Sequence, residues 1–543
     1  MFLILCSVRG EFLPSIDAHL MNCMESDREA LIDFKNGLHD PANRLSSWKG
    51  SNFDLRNPHP NNNDDESLNR YGFWNLSGEI KPSLTKLMSL RHLDLSFNMF
   101  IDNPISNFFG SLKNLQYLNL SNGGFSGAIP LNLWNLSSLQ YLDVSSDLIW
   151  RESASFGSLQ NRSGRPLPNL QYLYLSDNQL VGKLPKLLAQ LENLVELDLF
   201  NNSLYGPIPT SFVILQQNLT VLLLGENELN GTLPESLGQL FELRIFDVSS
   251  NQLTGLVTEA HFLKLKKLSD LDLSSSSFTL DVKSDWVPPF QVSSLAMSSC
   301  HLGPSSFPTW LKSQKQVYDV DFSNASISGS IPYWKYSIKH WKLCSSLCNN
   351  HLSGTIPTFL GQLSWLETLH LNDNKLYGQL PSTLQNLSSL ETLNLGNNRL
   401  NGRIPPLIGK GFESLRILSL RSNSFSGELP ALLSDLSSLQ VLDLAENQLI
   451  GSIPASFGHF KGQLQRYTKA LSLVTMLDLS GNNLSGDLPT KMTNLFGLVI
   501  LTLSRNHFTG HIPKSISKLK QLSSLDLLDF RTKNTTKMKE KEA

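Results

Sequence analysis

The sequence predicts an α/β-type solenoid: a stack of short coils with a parallel β-sheet on the concave face and an N-terminal helical cap. Three observations predict it. One phrase recurs, as LSWLETLHLNDNKLYGQLP from Leu363 to Pro381 and LSSLETLNLGNNRLNGRIP from Leu387 to Pro405. An L-x-L pair or its near equivalent returns eighteen times from Leu93 to Leu525, mostly 24 or 25 residues apart. Each copy also carries Asn and Gly-x-x-Pro at fixed offsets. A globular chain of 543 residues would divide into several domains. A solenoid escapes that limit, because each coil buries its apolar side on its neighbours and the core grows lengthwise.

The shared template is L-x-x-L-x-x-L-x-L-x-x-N-x-L-x-G-x-(I/L)-P. Self-similarity of this kind at a period in the twenties marks leucine-rich repeats. Each L-x-L stretch reads as a short parallel strand. Alternation along the strand turns its leucines inward and the residues around the first Leu outward. A column of asparagines follows: Asn98, Asn178, Asn202, Asn227, Asn251, Asn350, Asn374, Asn398, Asn423, Asn447, Asn482 and Asn506. A buried amide there serves the backbone groups left unpaired where the chain leaves the strand. Cys300 stands in this column and reads as structural. Gly123, Ser276, Ala325 and Phe530 break it, so those turns are expected to be less well tied. In twelve repeats, from Pro130 to Pro513, the closing Pro extends the residue before it. A second short extended run is expected on the flank of each coil.

In chain order, residues 1–22 read as a possible truncated signal peptide, with an apolar run from Phe2 to Val8. Residues 23–73 form an N-terminal cap. Within it Ala30, Leu31, Phe34 and Leu38 recur at helical spacing, with Ser26 as N-cap and Glu29 three residues on. Such an amphipathic element covers the apolar edge of the first coil. The repeats occupy 74–530, with irregularities at 148–168, 333–347 and 457–471; Ser345 stands where a strand Leu belongs. Residues 531–543 are a polar, basic tail. No stretch approaches the roughly 20 apolar residues that cross a bilayer.

The cap segment CMESDREALIDFKNGLHDPANRLSSW, from Cys23 to Trp48, resembles the plant-type N-terminal cap of leucine-rich-repeat receptors. The L-S-G-x-I-P variant of the repeat is similarly plant-type. Within that group the chain resembles the receptor-like proteins related to the plant receptors for fungal xylanase. Leu280 to Leu311 (LDVKSDWVPPFQVSSLAMSSCHLGPSSFPTWL) and Asp321 to Pro332 (DFSNASISGSIP) carry that likeness. The resemblance implies a plant-type horseshoe or superhelix. It also implies a cap closed by a Cys-Cys-x-Trp-x-Gly-x-x-Cys stretch, yet Lys49 to Phe73 holds no Cys. A lost cap disulfide costs about 2–5 kcal/mol. The family's longer island lies where only Phe457 to Leu471 stands here, and its acidic spacer and membrane helix have no counterpart.

Net charge is −2, with no basic stripe to neutralise phosphates, so nucleic acid is not the expected partner. No catalytic set or cofactor motif is present: no glycine-rich phosphate loop, no H-E-x-x-H and no kinase signature. Cys344 and Cys348, flanked by His340 and His351, are the nearest thing to a metal pair, but finger spacing is lacking. No metal or cofactor is expected. Sequons place candidate glycans at Asn75, Asn119, Asn135, Asn161, Asn201, Asn218, Asn230, Asn324, Asn386 and Asn483, and Asn534 lies in the tail. Such density suits an extracellular, glycosylated surface.

The expected ligand surface is the concave face. Its column after the first Leu is acidic: Asp94, Asp143, Asp198, Asp247, Asp272, Asp321, Asp443, Asp478 and Asp526. These read chiefly as the default LDLS strand word, with Asp bonded to a neighbouring Ser or Asn. Departures from the word are the better contacts: Tyr174, Leu223, His370, Asn394 and Ser419. Tyr117, Tyr141 and Tyr172 line up in the column before the first Leu. Tyrosine gives rigid amphipathic area at low entropy cost. Arg421 and Glu446 are further candidates.

These observations point to a non-enzymatic ligand-recognition ectodomain. The resemblance implies defence signalling through a partner receptor kinase, with a peptide, glycan or microbial protein as ligand. It places the full-length family at the cell membrane, facing outward. A secreted protein similar to the polygalacturonase-inhibiting proteins is the alternative, as is a non-functional truncated receptor fragment.

Overall fold

A computed structural model describes residues 2–4, 25–43, 45–46, 75–147, 167–303, 305–333, 344–406, 408–460, 474–509 and 511–528. Every strand expected from the L-x-L pairs between Leu93 and Leu525 is present, three residues long, and the pairing is parallel. Register follows the template. Tyr117–Asn119 pairs with Tyr141–Asp143, and Leu118 lies opposite Leu142. Thr368–His370 pairs likewise with Thr392–Asn394, Leu369 opposite Leu393. The inward leucines form the core: Leu93, Leu118, Leu142, Leu393 and Leu418 are wholly buried. Their outward neighbours are half-buried, as strand alternation requires.

The chain forms two compact units, Met1–Asp270 with Ser276–Phe278, and Leu271–Ser275 with Thr279–Ala543. In the first unit the helix Glu25–Gly37 buries Ala30, Leu31 and Phe34 against the first coil. The helix stops at Gly37. Leu38 is therefore not a helical core residue: Leu38–His39 pairs antiparallel with Ser77–Gly78. Ser26 lies inside the helix and is not its cap. Lys81 and Asp33, 3.2 Å apart, add an exposed ion pair between cap and coil. Phe2–Ile4 runs parallel to His92–Asp94, along the edge of the concave sheet.

The flanking extended runs are also present. Ser203–Gly206 pairs with Val181–Lys183 in the first unit, and Lys375–Gly378 through Asn483–Gly486 form a ladder in the second. The template glycines of these runs take left-handed backbone, such as Gly378 at φ 86° and Gly402 at φ 83°. The Pro then opens a short 3-10 turn. Pro381 precedes Ser382–Asn386, which buries Leu384. Among the described residues the outer side of the coils is thus mostly 3-10 turn, with α-helix only at Thr210–Leu215 and Ile408–Gly411 beyond the cap. Only five residues separate Pro381 from Leu387, which opens the next repeat, and that leaves little room for longer helix.

The asparagine column works as the amide chemistry requires. Asn374 accepts the Leu352 N–H at 2.9 Å and donates to the carbonyls of Leu347, Leu371 and Asn372. The residue before each Asn is left-handed, for example Asp373 at φ 57° and Asn397 at φ 51°. That conformation costs roughly 1–2 kcal/mol in a non-glycine residue, and the amide's bonds hold it. Cys300 is buried in the same column, its thiol 3.2 Å from the Leu273 carbonyl. Burial pushes that thiol up to about 12, which removes it as a nucleophile.

Two of the column's gaps are tied after all. At Gly123 the carboxylate of Asp147 accepts the N–H groups of Gly123, Gly124 and Phe125. At Ala325 the amide of Asn350 accepts from Ala325 and Ile327. The template's next member serves the gap before it. Ser276 has a buried hydroxyl without a hydrogen bond, and Phe530 lies outside the described residues. Ser345 does not abolish its strand: Cys344–Ser346 pairs with Asp319–Asp321 and with Thr368–His370. The inserted parts at 148–166, 334–343 and 461–473, Lys49 to Phe73 and the tail lie outside the described residues.

Candidate ligand-binding face

On the first unit four parallel strands set out a grid of outward side chains. Tyr117, Tyr141, Tyr172 and Glu196 lie opposite one another in one row. Asn119, Asp143, Tyr174 and Asp198 make the adjacent row. The β-sheet spacing brings the rings into contact. Tyr117 and Tyr141 stack at 4.2 Å and 13°. His92 continues the stack on Tyr117, at 4.0 Å and 8°. Past Tyr141 the stack opens. Tyr172 is 6.0 Å away and tilted by 41°, and Tyr174 is 5.5 Å away and tilted by 55°.

This geometry decides what the face can present. His92, Tyr117 and Tyr141 cover each other's faces and offer edges and polar tips. Tyr172 and Tyr174 are turned away from that stack. The Tyr141 hydroxyl donates to Asp143 at 3.3 Å, and the Tyr174 hydroxyl donates to Glu196. Partial burial lowers the proton affinity of His92 and makes the hydroxyls of Tyr117, Tyr141 and Tyr174 harder to ionise. Burial also raises the carboxyls of Asp143 and Asp198 above the usual range.

The acidic column mostly satisfies itself. Asp94 accepts the N–H and hydroxyl of Ser96, and Asp143, Asp247 and Asp478 do the same with Ser145, Ser249 and Ser480. The Ser two residues on explains the LDLS word: it closes the strand end. Asn119 is built into the same device, 9% exposed and accepting from Ser121. A glycan needs its amide in solvent, so Asn119 is withdrawn from the glycan sites. Asn201, Asn218, Asn230, Asn324, Asn386 and Asn483 are exposed, as is Asn135; Asn75 is half-buried, and Asn161 and Asn534 lie outside the described residues.

On the second unit, Arg421 and Glu446 are matched within the fold. Arg421 pairs with Asp478 at 3.2 Å and Glu446 at 3.4 Å, and Arg505 reaches Glu446 at 2.9 Å. The Arg505 and Ser422 hydrogen bonds lower the Glu446 carboxyl. His370 is half-buried between Ser346 and Asn394, and burial lowers its proton affinity. The outward row before the first Leu is apolar here. Ile417, Val441, Met476 and Ile500 lie opposite one another, and Ile417 is 37% exposed. It is the same column as the tyrosines, and it shows when that column is read for apolar as well as aromatic residues.

Among the described residues no group of three or more His, Cys, Asp or Glu side chains is placed to hold a metal ion. No helix among them is long and apolar enough to cross a membrane.

Known proteins align with this architecture. The Leucine Rich Repeat family model matches residues 89–112, 114–136, 218–240, 365–387, 389–410, 414–436, 438–460, 474–495 and 497–519. The two-copy Leucine Rich repeats model matches 168–210, and the Leucine rich repeat N-terminal domain matches 24–54. Receptor-like protein EIX2 of Solanum lycopersicum is 31% identical over 555 residues, covering 64% of this chain and 54% of that protein. Receptor-like protein EIX1 of the same plant is 35% identical over 218 residues, 36% of this chain and 20% of the relative. The chain therefore spans about half the length of EIX2. Among solved structures, the Arabidopsis receptor kinase HAESA, in complex with the peptide hormone IDA and the co-receptor SERK1, superposes with a TM-score of 0.71 at 27% identity. The match covers 94% of this chain and 90% of that one. PEPR1 in its AtPEP1 complex gives 0.68 at 29% identity, over 93% and 76% of the two chains. The repeats and the cap identify the chain as a leucine-rich-repeat protein, and these relatives show it to be similar to plant receptor-like proteins.

Proposed function

We propose that the chain is a non-enzymatic ligand-recognition ectodomain whose concave face takes an extended peptide, or a peptide segment of a microbial protein. The carrying observation is the grid of Tyr117, Tyr141, Tyr172 and Tyr174, held outward by strands whose leucines are buried. Stacked rings that offer edges and hydroxyls suit hydrogen bonding to a peptide better than face-on stacking with a sugar. HAESA, similar in fold, is a receptor kinase seen with a peptide hormone and a co-receptor. By analogy with HAESA the chain works outside the cell beside a partner receptor kinase, and its resemblance to the plant receptors for fungal xylanase favours defence over development. Glycans on the exposed sequon asparagines, without Asn119, fit that location.

The test is a panel of peptides and secreted microbial proteins, presented to the purified ectodomain and to a Tyr117→Ser, Tyr141→Ser, Tyr172→Ser variant of unchanged thermal unfolding. A ligand that loses about tenfold or more in affinity for the variant supports the reading, since a few aromatic residues dominate such interfaces. A ligand that binds both equally, or that protects the outer 3-10 turns from hydrogen exchange, overturns it.

A further inference from the structure

We propose that Tyr141, Tyr172 and Tyr174, with the carboxylates of Asp143, Glu196 and Asp198 around them, form a subsite for a cationic side chain, arginine or lysine, of the bound peptide. The proposal rests on the peptide reading above and names the chemistry of one residue in that ligand.

Three observations carry it. The first is the opening of the ring stack. The three rings meet at 41° and 55°, not face to face, so part of their π-surface is not spent on each other. A tilted set of rings is how cationic groups are held. The second is register. Tyr174 lies between Asp143 and Asp198 in one row, and Tyr172 between Tyr141 and Glu196 in the other. Three carboxylates thus border the rings. The third is charge balance. Among the described residues no Lys or Arg forms an ion pair with Asp143, Glu196 or Asp198. The acidic network on the second unit differs: there Arg421 and Arg505 supply the cations. Partial burial already strains Asp143 and Asp198 toward the protonated form. A cation seated on the rings relieves that cost, because an opposite charge favours the ionised carboxylate. Arginine fits particularly well: its planar guanidinium stacks on one ring while donating to two carboxylates.

The probe is an acetylated, amidated hexapeptide of alternating Gly and Arg, titrated at low salt against the whole ectodomain. Its twin carries citrulline, which keeps the shape and removes the charge. The Arg peptide is expected to bind about tenfold or more tightly than the citrulline peptide. Tyr172→Leu with Tyr174→Leu, which keeps every carboxylate, should weaken the Arg peptide by about fivefold or more. Tyr174→Phe keeps the ring and should change affinity less than about twofold. Where the double variant loses its thermal transition, Tyr172→Leu alone serves. Equal binding of the two peptides, with protection of this face, overturns the cation subsite and leaves the peptide reading standing. Undiminished Arg binding by the leucine variants assigns the effect to acidity alone and also overturns it. So does a failure of both peptides to bind.

Discussion

Asp147 reaches back one repeat to Gly123 and accepts its backbone N–H at 2.9 Å. In most other coils an asparagine occupies this place and also donates through its amide nitrogen. Asp147 has no such donor while ionised, and its second carboxyl oxygen is buried without a hydrogen-bond partner. Burial pushes its carboxyl up to about 7, against the pull of three backbone N–H groups.

A pH dependence follows. The folded state binds this proton more tightly than the unfolded chain, whose Asp titrates near 3.9. Its stabilising contribution is therefore present below the unfolded value and is lost as pH rises through about 7. Asp147→Asn restores the amide donor. Thermal unfolding at about pH 7.5 should show the variant more stable by about 1–3 kcal/mol, the typical cost of an unsatisfied buried group. The gap should narrow toward about pH 4. A gap that does not change with pH contradicts this.

The asparagine ladder makes a second prediction. Asn374→Ala strands the Leu352 N–H, while the carbonyls of Leu347, Leu371 and Asn372 each lose one donor and keep another, from Asn350, Asn398 and the Asn349 N–H. The expected loss is about 1–3 kcal/mol, the cost of one buried unsatisfied donor, read as faster amide exchange across the neighbouring coils. Exposed Asn386→Ala, outside the column, should cost less than about 0.5 kcal/mol.

Ion pairing on the second unit is testable through salt. Arg421→Met leaves Asp478 and Glu446 short of a partner, but Arg421 is itself partly exposed. The expected loss is about 1 kcal/mol at low salt and less at high salt, as solvent screens such pairs. A salt-independent loss would point to packing of the arginine stem instead.

Glycopeptide mass spectrometry tests the surface. Asn218, Asn230 and Asn386 should carry glycans, while Asn119 stays bare because its amide is buried beside Ser121. A glycan on Asn119 contradicts the strand placement of Tyr117–Asn119.

The fold was legible because it repeats. Leu369, Leu393 and Leu418 announce the strand by period, and Asn374 announces the turn by chemistry. What was not legible arises between repeats. Gly123 looks like a gap until the bond from Asp147, 24 residues on, is seen. Asp147 itself hides because it departs from the Asn/Cys alternation by a single atom group. His92 breaks the tyrosine word, although its ring extends the same stack. The opening beyond Tyr141 depends on ring tilts, which no spacing encodes. Arg421 looks free in sequence, because its partner Asp478 lies 57 residues away.

The most direct measurement replaces Tyr172 with a photo-crosslinking phenylalanine and, in a second protein, places the same group at exposed Asn386 on an outer turn. Each is irradiated with a ligand recovered from the binding panel. The account predicts a covalent adduct from position 172 and none from position 386. An adduct from 386 alone would remove the concave rows from recognition and contradict the account.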